Sequence, residues 1–149
     1  IGDLPIWKLM AKEMGINKSD SLFHSQNGGC FRPGVGVWAF PTFRFSVGTL
    51  DAPVITGAAR EGWSVTLNWE NDIDRPKAGN SDRVYVGYFY DTQPRAPQMV
   101  SCLGACRRDG RVTVDVPSAG QPDGTRLDLY VFFGNKMSSR FSPSEYVEA

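Results

Sequence analysis

His24 is the single histidine in 149 residues. Any nucleophile–His–acid relay would have to run through it. It lies in a Ser/Asn/Gly-rich stretch with no motif around it, so it reads as a loop histidine rather than a general base. The thiols are Cys30, Cys102 and Cys106, and an odd count of 3 argues against a fully paired disulfide framework. Cys102 and Cys106 are close enough in sequence to be bridged across a tight turn if the geometry allows. Zinc asks for about four ligands, which the Cys and His content hardly supplies, and half-buried or free thiols are the simpler reading. Gly34-Val35-Gly36 is only a loop pair, and no phosphate-cradling glycine motif is present. No cofactor is therefore expected. Glu70, Asn71, Asp72 and Asp74 cluster in one short stretch. Glu70, Asp72 and Asp74 offer the kind of oxygens that hold Ca²⁺, but the spacing departs from an EF-hand loop. Arg75 and Lys77 neutralise the patch, which favours a solvated acidic turn. Arg107, Arg108 and Arg111 surround Asp109-Gly110, either as an anion or polysaccharide contact or, preferably, as a charged hairpin tip. Asn17-Lys18-Ser19 fits a glycosylation acceptor, meaningful only in a eukaryotic secretory protein. No titratable groups converge into a recognisable catalytic set, so the chain is not expected to be an enzyme.

The elements that would carry these residues divide near residue 50. Before it, Asp3 is placed to cap a short helix with Pro5 in its first turn. Leu4, Trp7, Ala11 and Met14 fall on one helical stripe, and Gly15 is a natural stop. Residues 24–36 read as loop, and Phe43, Phe45 and Val47 alternate with polar residues as in a strand. After residue 50 the chain is almost purely β. Val65, Leu67 and Trp69 share one face of a strand; Val112, Val114 and Val116 share another, and Leu127, Leu129, Val131 and Phe133 a third. Turn-forming clusters separate these runs, so several short alternating strands indicate a sandwich or barrel and exclude a parallel α/β sheet.

Residues 51–149 resemble a fibronectin type III-like sandwich. The resemblance rests on the Pro-led Asp51-Ala52-Pro53-Val54-Ile55, the Trp-ended Val65-Thr66-Leu67-Asn68-Trp69 and the alternating Val84, Val86, Tyr88 and Tyr90. Ser142-Pro143-Ser144 sits where the last strand of such domains often begins. The family's sixth strand usually opens Thr-x-Tyr, whereas here Thr125 is followed two residues later by Leu127, so the tyrosine corner is missing. The resemblance implies a mainly β, antiparallel, Ig-like sandwich at 51–149, with residues 1–50 as a helix-and-strand extension packed on it. The whole chain is also similar to the C-terminal part of an uncharacterised Bacteroidota protein family, through Phe45 to Leu50, Val65 to Trp69, Asp82 to Tyr90 and Ser142 to Tyr146. That likeness implies a fold and no activity. The first residue, Ile1, reads as the start of a trimmed or processed product or a fragment.

Strand parity supplies the most informative expectation. With Val65, Leu67, Trp69, Val86, Tyr88, Val112, Val114, Leu127, Leu129 and Val131 in the core, Tyr85, Phe89, Tyr130 and Phe132 turn outward. The fibronectin-like resemblance implies that these two strands are neighbours in one sheet, so the four rings make one outer apolar patch, covered either by residues 1–50 or by a partner chain or ligand. Cover by the chain's own segment is preferred, because its apolar stripe needs a home. Net charge is zero, from 16 basic and 16 acidic residues, which lacks the electrostatic footprint of a duplex nucleic-acid binder. No apolar run approaches the roughly 20 residues of a membrane span. The expectation is a non-enzymatic structural or protein-interaction module that self-associates or joins a larger assembly. Its alternative is a carbohydrate-binding accessory domain at the cell surface. A cell-surface, extracellular or particle-associated setting is favoured over a cytoplasmic one.

Overall fold

A computed structural model describes residues 5–15, 23, 26–32, 36–37, 39–70, 77–100 and 104–149. Its order is helix α1 (Pro5–Glu13), the short strands β1 (Phe31–Arg32) and β2 (Gly36–Val37), then β3 (Ile55–Glu61), β4 (Ser64–Trp69), β5 (Arg83–Tyr90), β6 (Gln98–Val100), β7 (Arg111–Asp115), β8 (Leu127–Gly134) and β9 (Glu145–Glu148). Among the described residues β1 and β2 pair antiparallel, β3-β4-β7 form a three-stranded antiparallel sheet and β6-β5-β8-β9 a four-stranded one. A three-stranded and a four-stranded sheet with a core between them make the fibronectin type III-like β-sandwich expected from the sequence.

Each strand follows from local rules. β3 and β4 pair Glu61 with Ser64, leaving Gly62-Trp63 as a two-residue turn. Gly62 takes φ 62°, the left-handed entry such hairpin turns require. β4 alternates buried Val65, Leu67 and Trp69 with half-buried Ser64, Thr66 and Asn68. Those apolar residues meet Val86, Tyr88, Val114, Leu127, Leu129, Val131 and Phe133 in the core between the sheets, with Val112 half-buried against it. Tyr90 Oη donates to Pro117 O and fastens the end of β5 to the chain after β7.

β8 departs from simple alternation: all eight residues, Leu127–Gly134, are buried. Its outward face lies in a second core with Phe89, roofed by Ile6, Trp7, Met10, Ala11, Phe23, Phe40, Phe43, Phe45 and Val47. The protein thus has three layers: the three-stranded sheet, the four-stranded sheet, and the N-terminal segment on the latter's outer face.

The helix stripe differs from the sequence reading. Ile6, Trp7, Met10 and Ala11 are buried, whereas Met14 is exposed at the C-terminal turn. Asp3 and Leu4 lie outside the described residues. The strand expected at 43–47 is also corrected: Phe43, Phe45 and Val47 are buried, but the segment joins no sheet. Side chains replace the ladder partners that a strand would have. Arg44 N donates to Asn27 Oδ1 at 2.6 Å, Phe45 N donates to Ser144 Oγ at 3.0 Å, and Ser46 Oγ donates to Ser142 O at 2.6 Å. Glu13 closes the other end, accepting from Phe141 N at 2.6 Å and Thr49 N at 3.2 Å.

Phe45 can lie flat on the sheet because β5 has Gly87 beneath it. A Cβ at Gly87 would stand 2.5 Å from the Phe45 ring. Gly87→Ala therefore forces the segment off the sheet, with an expected loss of about 1–3 kcal/mol from overpacking. Urea unfolding of the two proteins, read as a fall in midpoint, checks it.

Candidate functional site

The four outward rings sit on β5 and β8, which pair Tyr85 with Phe132, Gly87 with Tyr130 and Phe89 with Asp128. Phe89, Tyr130 and Phe132 are each 0% exposed, and Tyr85 is half-buried. As a docking patch for a partner these residues are corrected: residues of the chain's own first third already cover them. Phe45 stacks on Tyr130 (5.7 Å, 27°) and on Phe132 (6.2 Å, 28°). Phe40 and Phe43 meet Phe89 edge-on at 5.5 and 5.3 Å. Aromatic pairs of this geometry add about 0.5–1.5 kcal/mol each beyond area burial.

A polar cluster borders this aromatic seam. Asp128 is fully buried on the outward face of β8 and accepts from Tyr146 Oη at 2.5 Å and from Arg126 Nη2 at 3.4 Å. Tyr130 Oη donates to Phe40 O at 2.8 Å, and the Arg126 guanidinium lies 5.8 Å from the Phe40 ring centre. Burial pushes the Tyr130 and Tyr146 phenols well above their ordinary range, and neighbouring Asp128 adds to this in both. A readable signal for the cluster existed. Asp128 interrupts an otherwise apolar strand on the same face as Tyr130 and Phe132, a place where an acid needs a partner.

The Arg cluster separates into different roles. Arg107 is buried, 3.1 Å from Asp82 Oδ2, with its guanidinium 4.0 Å over the Phe133 ring. It also donates to Asp51 O at 3.0 Å, and its carbonyl accepts from Trp69 Nε1 at 2.8 Å. Arg107 is therefore a core anchor rather than a member of a surface anion contact, whereas Arg108 and Arg111 are exposed. Of the Ca²⁺ candidates, Glu70 is exposed, while Asp72 and Asp74 lie outside the described residues. Among the described residues no three Asp, Glu, His or Cys side chains gather as a metal site. His24, Cys102 and Asn17-Lys18-Ser19 also lie outside the described residues. Cys30 is a buried thiol 3.3 Å from Thr42 Oγ1, and Cys106 is a half-buried one.

Sequence reading passed over a cleft of about 700 Å³ at the β5–β6 edge. Val84, Tyr85, Met99, Val100 and Ala105 supply its apolar surface, and Arg83, Arg108 and Lys136 its charge. Among the described residues no helix is long and apolar enough to cross a membrane.

No protein-family model matches the chain, and no curated protein matches it. Two solved structures are similar in fold. One is a β-1,2-glucanase from Parabacteroides distasonis, 22% identical with a TM-score of 0.45, over 70% of this chain and 13% of that one. The other is the fibronectin type III domain of human fibronectin type III domain containing protein 3, 20% identical with a TM-score of 0.43, over 70% of this chain and 85% of that one. The chain thus spans a small fraction of the glucanase's length.

Asp128 makes the fold sensitive to pH. Burial raises its carboxyl above the ordinary aspartate range, against the pull of the Tyr146 hydrogen bond and of Arg126. The folded protein therefore keeps this proton at pH values where the unfolded chain has released it. Stability falls as pH rises from the ordinary aspartate range through the raised folded value. Asp128→Asn keeps an acceptor for Tyr146 and removes the titration. Urea midpoints across this pH window should fall more steeply in the parent than in the variant, and parallel curves would place the dependence elsewhere.

Proposed function

We propose that the chain is a non-enzymatic structural or protein-interaction module, built to serve as one part of a larger assembly. The observation that supports this reading is where its buried polar groups are spent. Asn27, Ser46, Asp82, Arg107, Thr125, Asp128 and Ser142 are the buried polar residues among those described. Each is hydrogen-bonded to a neighbour that holds the fold: Asn27 to Arg44, Ser46 to Ser142, Asp82 to Arg107, Thr125 to Pro122, Asp128 to Tyr146 and Ser142 to Phe133. A catalytic centre needs titratable groups aimed at a substrate, and these are aimed at the chain itself. The fibronectin type III-like framework suits such a module, although a fold of this kind hosts many functions. A carbohydrate-binding accessory domain would need aromatic rings open to a sugar face, and the four rings on the outer face of β5 and β8 are the aromatic cluster that strand parity offers for one. Their burial leaves a sugar no access to Phe89, Tyr130 or Phe132.

The reading makes the covered face part of the folding unit rather than an interface. Phe89→Ser with Phe132→Ser removes two fully buried rings, and each Phe truncation in a core costs about 3–5 kcal/mol. Light scattering should find the parent monomeric, and the double variant should lose its cooperative thermal transition. A variant that still melts cooperatively, made from a parent that self-associates through this face, would overturn the assignment.

A further inference from the structure

The cleft at the β5–β6 edge is bordered by two described contacts of the edge segment with β5. β6 pairs with β5 from Tyr88↔Gln98 to Val86↔Val100, and the next pairing back to β5 is Arg83↔Cys106. From the first contact to the second, β5 advances by three residues (86 to 83) while its partner advances by six (100 to 106). The cleft lies beside Val84 and Tyr85 on this edge.

Its chemistry is one-sided. Arg83, Arg108 and Lys136 line it, all exposed, and no carboxylate stands among the described lining residues. Arg108 has a partner of its own, so Arg83 and Lys136 are the cations that matter for a ligand, and the acids close in sequence have defined contacts. Asp82 is paired with Arg107 at 3.1 Å, and the Asp109 carboxylate accepts the Cys106 N–H at 2.8 Å. A chain with zero net charge thus concentrates positive charge at one concave, partly apolar place. Low-dielectric walls strengthen such a field. The apolar part is shaped as well as greasy. The Tyr85 ring is held parallel to Phe132 at 5.3 Å and 12°, so its position is fixed before any ligand arrives. Met99 beside it has a flexible, polarisable side chain that adapts to a guest. A volume of about 700 Å³ lies inside the range of small-molecule sites, roughly 300–1,000 Å³.

We propose that this cleft binds a small organic anion, with the anionic group against Arg83 and Lys136 and an apolar body against Tyr85 and Met99. A neutral sugar would leave the cations unused. Phosphate-backbone binding by a nucleic acid would need basic residues spread along a track rather than gathered at one concavity. The cleft shares Tyr85 with the border of the arm-covered face, but anion binding there is tested without reference to the module's role in an assembly.

Naphthalene-2-sulfonate, with naphthalene-2-methanol as the neutral analogue, tests the proposal by titration calorimetry and amide chemical shifts. The sulfonate should bind saturably, shift the amides of Tyr85, Met99 and Ala105, and bind at least tenfold more tightly than the alcohol. Arg83→Gln and Lys136→Gln should each weaken the sulfonate about tenfold while leaving the urea midpoint unchanged, since both side chains are exposed. Lack of saturable binding at millimolar ligand would overturn the assignment. Equal affinity for the alcohol, or undiminished affinity in both variants, would do the same.

Discussion

The central constraint of this protein is that β8 is buried on both faces. Leu127, Leu129, Val131 and Phe133 turn toward the three-stranded sheet, while Tyr130 and Phe132 turn the other way, and all are buried. A two-layer sandwich covers one face of each sheet and leaves the other to water. β8 does not permit that, so a third layer is a requirement of its sequence. The N-terminal segment supplies it, and Phe45 stacks on both outward rings of β8. Gly87 is the matching concession in β5: a strand residue with no side chain, placed where a ring from another layer must approach.

That third layer is held by a different chemistry from the sheets it covers. Residues 43–47 run extended without a strand partner, so their backbone groups need other partners. Asn27 and Ser144 provide them, the Ser46 hydroxyl adds a bond to Ser142 O, and Glu13 reaches from the end of α1 to Phe141 and Thr49. The tether residues come from both ends of the described chain, with Phe45 and Ser144 bonded across 99 positions. Contacts of such separation form late and close large loops. The segment therefore depends on a finished sandwich, while the sandwich needs the segment to cover β8.

The legible part of the fold was the part governed by a period of two. Val65, Leu67 and Trp69, and the alternating residues of β5 and β8, announce their strands because one face of each meets an apolar layer. The neighbouring of β5 and β8 followed from the likeness to a fibronectin type III-like sandwich, while the remaining strand order was not read from the sequence. Parity also placed Tyr85, Phe89, Tyr130 and Phe132 on one outward surface, and the apolar stripe of residues 1–50 made that segment the preferred cover over a partner. The pattern at 43–47 misled because burial on alternate residues needs only an extended chain, not a ladder. Arg107 was opaque for a related reason. Three arginines around Asp109-Gly110 look alike in sequence, and only the fold decides that one of them enters the core to meet Asp82 and Phe133. The cleft had no sequence signature at all, since its lining joins Arg83, Met99 and Lys136 from separate elements.

Using an outer sheet face for internal packing has a consequence for where function resides. A sandwich with a bare face can bind through that face, as a broad surface. Here that surface is filled by Phe40, Phe43 and Phe45, and the polar groups at its border, Asp128, Tyr146 and Arg126, bond to one another. What remains for ligands lies at the edges, where a strand leaves its neighbour and backbone geometry opens. Loops and edges carry binding most readily when the scaffold beneath them is rigid. The second core supplies that rigidity directly: Phe132, locked between Phe45 and Tyr85, fixes the ring that forms one side of the cleft. The arm and the cleft are thus connected through a short stack of aromatic rings, and the layer that removes one surface from function pre-organises another.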